Sequence, residues 1–287
     1  MARKPGPEPS LRSQWLGKIL RDLRKAKGYN LNEAADFIQR DGSVLSRYEN
    51  GEYPIRRSDV IALLTFYRVS DESTRAGVMQ LCEDLWRTDW WDPYATAVVD
   101  DFINVPWLES RAERICEYQA LVLHGLLQAP SYAEAVIRNA EKDTESEEQI
   151  AQWLELRVAR QRVLSGEHSK PFAALIEEHV LHRPIGGLKV MREQLERLVE
   201  VGESDNVEIR VMPTDHGPHS GHLGSFTLFE MPYELSSVAY VESLGGGLYI
   251  EAPRVERFER AWEDLWRSAL NPEQSNALIK AVLREIK

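Results

Sequence analysis

Two short helix-forming runs, LNEAADFI (31–38) and GSVLSRYEN (42–50), stand only three residues apart. Helices this short are marginal alone, because the first turn fixes several dihedrals for a single hydrogen bond. The pair is therefore predicted to exist only inside a compact bundle, joined by a tight turn. The flanking sequence supplies that bundle. WLGKILRDLRKAKG spaces Leu16, Ile19, Leu20 and Leu23 along one helical side opposite Lys and Arg, and Gly28 is placed to end the helix. Asn30, with Glu33 three residues on, makes a capping-box pair at the start of the second helix, and Ala34 and Ala35 are small enough for close packing. Asp41 is placed to cap the third helix and Gly51 to terminate it. Pro54 stiffens the next loop, and Ser58 is placed to cap a fourth helix, DVIALLTFY.

In such a unit the third helix is predicted to bury Leu45 and Tyr48 and to turn Gly42, Ser43, Val44, Ser46 and Arg47 outward. Small residues at its N-terminus let the backbone approach the floor of a major groove, while its dipole and free N–H groups face phosphate. Arg47 has the length and fork geometry for guanine O6 and N7. A bundle with a merely solvated basic face is the alternative that spacing alone leaves open.

The ordered segments LRDLRKAKGYNLNEAADFI, GSVLSRYENGEYP and DVIALLTFY carry an S-R-x-E-x-G signature as Ser46-Arg47-Tyr48-Glu49-Asn50-Gly51. Together they resemble the lambda-repressor-like, XRE class of helix-turn-helix domains. The resemblance implies double-stranded DNA as partner, with Gly42, Ser43 and Arg47 facing bases and Val44 set against a thymine methyl. Asn30, Leu31, Ser46 and Arg56 would lie along phosphate. One departure matters: the leading position, polar in that class, is Gly42 here, so direct reading rests on few side chains.

The chain is acidic overall, at −11, and that is at odds with a polyanion partner until the charge is divided. Residues 1–70 carry 13 Lys and Arg against 8 Asp and Glu, a local +5, whereas the remaining 217 residues carry −16. A basic head on an acidic body assigns the polyanion to the head, and the body opposes sequence-independent binding. No apolar run approaches a bilayer span. MARKPGPEPS has no apolar stretch behind it, so it reads as a disordered leader rather than a secretory signal. Cys82 and Cys116 form no metal-type spacing and are expected to be free thiols in a cytoplasmic protein.

Beyond the head, residues 71–90 are predicted to continue as a helix with Val78, Leu81, Leu85 and Trp86 on its apolar side. Trp90, Trp91, Tyr94, Phe102 and Trp107 then crowd five large rings into eighteen residues, as a packed joint or a ligand pocket. LESRAERICEYQALVLHGLLQ, SYAEAVIRNA and residues 146–165 are predicted helices. PFAALIEEHVL begins as a strand and LKVMREQLERLVEVG is helical. VEIRVMP, SFTLFEM and SVAYVES are strand-like, LYIE adds an edge, and PRVERFERAWEDLWRSAL and PEQSNALIKAVLREI close as helices. The fold class is mainly α: a helical bundle followed by an α+β domain around a small sheet. The domains expected are a leader at 1–12, the helix-turn-helix domain at 13–70, a connector with its aromatic joint at 71–105, and the body at 106–287.

The body offers no coherent active site. In EEHVLH the glutamate precedes both His179 and His182, unlike H-E-x-x-H. His216, His219 and His222 recur every third residue in a loop broken by Gly and Pro, which holds a metal poorly without further ligands. Ser220 sits next to Gly221, so GPHSG is no nucleophile elbow. Gly245–Gly247 reads as a hairpin turn rather than a phosphate cradle. No catalytic residue, metal or cofactor is expected.

HGLLQAPSYAEAVI, LRVARQRVL, LIEEHVLHRPIGG, GSFTLFEMP and VAYVESLGGGLYIE, with RSALNPEQSNALIKAV at the end, resemble the actinobacterial antitoxin-like transcriptional regulators. His124 replaces a proline usual in that family. The resemblance implies a DNA-binding regulator whose body senses a ligand or a protein partner, such as a small protein encoded nearby. A homodimer on an imperfect palindrome is expected, because one short helix reads too few bases. The alternative is an interaction module that sequesters a small partner, with DNA binding serving autoregulation. On either reading the affinity for duplex DNA falls linearly with salt on logarithmic axes; a titration in which no duplex shows that fall rules out the basic head as a DNA-binding surface.

Overall fold

The computed structural model describes residues 10–94, 102, 104–140, 146–232 and 235–286. They divide into two compact units, one of residues up to Asp92 and one of residues from Pro93 on, with Pro232 and Leu235 grouping with the first.

The first unit is all helix: α1 (Leu11–Ala26), α2 (Leu31–Phe37), α3 (Gly42–Glu49), α4 (Arg57–Phe66) and α5 (Glu72–Trp86). Asn30 caps α2 through a full capping box, its side chain accepting from Glu33 N at 2.9 Å while Glu33 accepts from Asn30 N at 2.7 Å. Gly28 and Gly51 follow α1 and α3 with φ of 75° and 74°, the left-handed geometry that glycine adopts freely. Leu16, Leu20, Ala34, Ala35, Leu45, Val60, Leu63 and Leu64 fill the core. Two capping expectations fail. Asp41 occupies the N-cap of α3 but makes no side-chain cap bond. Ser58 lies one turn position inside α4, whose N-cap is Arg56; the Ser58 hydroxyl bonds Asp59 instead. The predicted helix at 71–90 stops at Trp86, which is exposed and donates its indole N–H to Ile55 O at 3.0 Å.

The second unit begins with α6 (Val105–Arg111), β1 (Arg114–Gln119), α7 (Pro130–Ala140) and α8 (Glu147–Arg160). It continues with β2 (Phe172–Glu177), α9 (Glu178–Leu181), α10 (Leu188–Val201) and β3 (Val207–Met212). β4 (Phe226–Glu230), β5 (Val238–Ser243) and β6 (Gly246–Ile250) precede α11 (Glu256–Ser268) and α12 (Pro272–Glu285). One six-stranded sheet runs β3-β2-β1-β4-β5-β6, parallel among β1, β2 and β3 and antiparallel from β1 outward through β4, β5 and β6. Cys116, Tyr118, Leu175, Phe226 and Leu228 pack with Trp262 and Leu265 of α11 on one face. By the two-residue alternation of strands, Ile115, Glu117, Ala174 and Thr227 face the other side.

The largest correction to the sequence reading is RICEYQ, expected within a helix and found as β1 at the centre of the sheet. Its apolar spacing suits either period, and only its neighbours decide. With β2 on one edge and β4 on the other, Ile115 to Tyr118 are buried on both faces, and a helix there would leave both partner strands unpaired. The helix expected over 146–165 likewise passes at Arg160 into a 3-10 turn, Gln161–Leu164. The glycines Gly246 and Gly247 lie in β6, with Leu244 and Gly245 making the turn from β5. Of the ring cluster, Trp91 and Trp107 are buried and Trp90 is exposed; part of that stretch lies outside the described residues.

The strand assignment also puts an acid in the core. Glu117 is 0% exposed, accepts from the Thr227 hydroxyl at 2.6 Å and from the Gln119 amide, and lies 3.4 Å from His124 Nε2. Burial pushes its carboxyl up to about 8. The protonated form is thus favoured in the native state, so this group stabilises most below its ordinary value of 4.5 and progressively less as pH rises through 8. His124, held neutral by burial, titrates in the opposite sense. Glu117→Gln should therefore raise the melting temperature at pH 8 by about 3 °C and leave it nearly unchanged at pH 5, as measured by thermal unfolding of variant and parent side by side.

Candidate nucleic-acid interface

α3 is held from beneath by its C-terminal residue. Glu49, 4% exposed, accepts a forked pair of bonds from Arg24 of α1: Nε to Oε1 at 2.6 Å and Nη2 to Oε2 at 2.8 Å. Arg24 also donates to Tyr29 O at 2.9 Å, and Arg21 donates to Glu49 O at 2.6 Å and to the Asn50 side chain. The Tyr67 hydroxyl beside the pair is kept neutral, pushed up chiefly by burial. α1 closes tightly on the end of α3: a Cβ at Gly17 would lie 2.4 Å from Tyr48 O, and the Ser13 hydroxyl donates to Gly51 O at 2.7 Å. Leu45 and Tyr48 complete the buried side.

The opposite side of α3 carries the residues singled out from the sequence. Ser43 and Arg47 are exposed, and Gly42, Val44 and Ser46 are half-buried. Because Asp41 leaves its cap bond unmade, the first-turn N–H groups of this eight-residue helix lack that side-chain acceptor, which suits an oxygen from outside. Asn30 and Leu31 lie at the start of α2, Asn30 exposed with its side chain engaged in the capping box. Arg56 is exposed at the start of α4. Two contacts were not legible beforehand. Arg47 lies over the Tyr53 ring, 5.1 Å from its centroid, and Nη1 meets the Tyr53 hydroxyl at 3.1 Å. A Cβ at Gly42 would come within 2.5 Å of Oδ1 at the tip of the exposed Asn32 side chain. The only sequence signal for Tyr53 was its place in ENGEYP directly after the helix.

His179, His219 and His222 of the second unit hold loops. His219 accepts from Gly221 N through Nδ1 at 3.2 Å and sets Nε2 3.2 Å from Glu177, which also accepts from the Tyr118 hydroxyl at 2.8 Å. His222 Nδ1 lies 2.8 Å from His219 O, His179 Nε2 lies 2.8 Å from Ala120 O, and Glu178 accepts from Thr214 N at 2.8 Å. Both ring nitrogens of His219 are thereby occupied, and no group of three or more potential ligands placed to hold a metal occurs among the described residues. Ser220 donates to Ala261 O at 3.1 Å rather than meeting a base. Among the described residues no helix is long and apolar enough to cross a membrane.

Glu49→Ala strips the buried Arg24 of its carboxylate and should destabilise the first unit by about 3–5 kcal/mol, read by urea unfolding. Replacing both partners with apolar groups, as Arg24→Met with Glu49→Leu, should recover most of that loss.

With this geometry established, two family models match the chain. One described as Helix-turn-helix domain covers residues 15–76, and one described as Domain of unknown function (DUF5753) covers residues 102–281. No curated protein and no solved structure matches.

Proposed function

Starting from a chain that belongs to the DUF5753 family and carries an XRE-type helix-turn-helix domain, we propose a sequence-specific transcriptional regulator in which α3 enters the major groove. The helix-turn-helix domain supports reading the chain as a regulator. The observation that carries the reading is the pairing of a buried anchor with an outward face: Glu49 clamps α3 to α1 while Ser43, Val44 and Arg47 point away from the core. Gly42 lets the helix end approach bases closely; Ser43 and Arg47 offer hydrogen bonds, and Val44 offers a methyl contact. Asn30, Leu31, Ser46 and Arg56 track phosphate. Tyr53 keeps Arg47 extended over its ring, so the arginine arrives ordered at the groove. With so few base-reading side chains, DNA shape and the spacing of two half-sites share the specificity, which calls for a homodimer.

The DNA-binding part is residues 13–70, joined through 71–105 to a body at 106–287 that senses a ligand or partner and dimerises. A second reading, antitoxin-like sequestration of a small protein encoded nearby, draws support from the −16 charge outside the first 70 residues, which suits a basic partner.

With a site selected from random duplexes, Arg47→Ala should weaken specific binding about ten- to a hundredfold and leave non-specific binding nearly intact. Arg56→Ala should weaken binding to all sequences and lower the salt slope by about one. Anisotropy titrations of both variants against the selected and a scrambled duplex test the assignment; equal losses on both duplexes for Arg47→Ala would remove it from base reading.

A further inference from the structure

The six-stranded sheet of the second unit has two edges that end differently. At β3 the backbone of Val211 is satisfied from outside the sheet: its N–H donates to the Ser275 hydroxyl at 2.9 Å and its carbonyl accepts from Leu270 N at 3.0 Å. At the other end β6 pairs with β5 alone, and no strand lies beyond it among the described residues. An open edge of this kind is a template for another strand, and proteins usually blunt it with charge, proline or a bulge. β6 has none of these. Its sequence is GGLYI, in unbroken register with β5, and it is the only strand of the six without a charged residue.

The hairpin fixes which atoms face outward. β5 and β6 are joined by the two-residue turn Leu244-Gly245, and Ser243 stands opposite Gly246. Residues flanking such a turn exchange backbone hydrogen bonds, and the pattern then alternates along an antiparallel pair. Gly246, Leu248 and Ile250 therefore bond to β5, while Gly247 and Tyr249 turn their N–H and C=O groups to the open side. A second β6, laid antiparallel with Leu248 opposite Leu248, matches this pattern. Gly247 of each copy then faces Tyr249 of the other, and each such pair exchanges both of its backbone bonds. Leu248 is 60% exposed in the single chain. It lies at the centre of that register, in the closer, non-hydrogen-bonded kind of pair, so each leucine is covered by its own counterpart. Charge points to the same occupant. The 217 residues beyond the head carry −16 and repel a second copy wherever charges meet, but this strand is uncharged.

We propose that β6 is the dimerisation edge of the second unit, pairing antiparallel with β6 of a second copy across a twofold axis at Leu248. Such an interface is isologous and closes on itself, so it uses up the open edge in both copies. The inference rests on the homodimer reading above and names the surface that carries it.

Sedimentation velocity of the full chain without DNA should show a reversible dimer. Leu248→Lys sets two like charges opposite each other and should raise the dimer Kd about a hundredfold, with a circular dichroism spectrum matching the parent. Leu248→Cys should cross-link into a covalent dimer under mild oxidation, because the two Cα atoms stand about 4.5 Å apart in this register. The native Cys82 and Cys116 are buried and do not compete. Leu244→Cys, exposed on the same hairpin but more than about 20 Å from its counterpart in this register, should not cross-link. A parent dimer that Leu248→Lys leaves intact, or cross-linking through Leu244→Cys in place of Leu248→Cys, overturns the β6 surface and keeps the homodimer. A parent that sediments as a monomer throughout overturns both, and leaves the edge to a strand of another protein.

Discussion

The buried ion pair between Arg24 and Glu49 decides what the first unit presents. α3 is too short to hold itself, and its two large apolar anchors, Leu45 and Tyr48, fix which side is buried but constrain its end only loosely. The forked guanidinium supplies direction, since two bonds to one carboxylate set an orientation as well as a distance. Removing both charges from water is unfavourable, and such a pair is weak evidence for stability. Its value lies in geometry: Arg21 and Ser13 add bonds to backbone carbonyls at the same end of α3, so the outward face follows from the fixed inward one.

That arrangement makes the signature S-R-x-E-x-G intelligible as physics. Glu49 is its buried member and Arg47, two residues earlier on the helix, points the other way. Gly51 ends the helix and lets α1 come close. Gly42 leaves the leading position without a side chain, and the nearest group there is the exposed Asn32 side chain of α2. The electrostatics are consistent with this division, the basic head being the part that carries α3.

In the second unit the comparable constraint is β1. It pairs with β2 in parallel and with β4 in antiparallel, so one strand joins the two halves of the sheet and carries Glu117 into the interior. Around it the polar chemistry turns inward: Glu109 and Arg160 form a buried pair, and Tyr118, Glu177 and His219 lock a loop. These clusters resemble catalytic sets in composition, yet each group is already engaged by a neighbour.

By itself the sequence determined the local events: the capping box at Asn30, the termination at Gly51, the outward set on α3, the strands β2 to β6 and the two closing helices. Each is encoded by a periodicity or a capping residue within a few positions, where local energetics suffice. Only the tertiary structure decided that RICEYQ is a strand, that Ser58 is not a cap, that Arg47 rests on Tyr53, and that Glu49 answers Arg24 across 25 residues of chain. The physical reason is the same in each case. A run with two compatible periods, or a charge with several reachable partners, is settled by what packs against it, and that partner is distant in sequence.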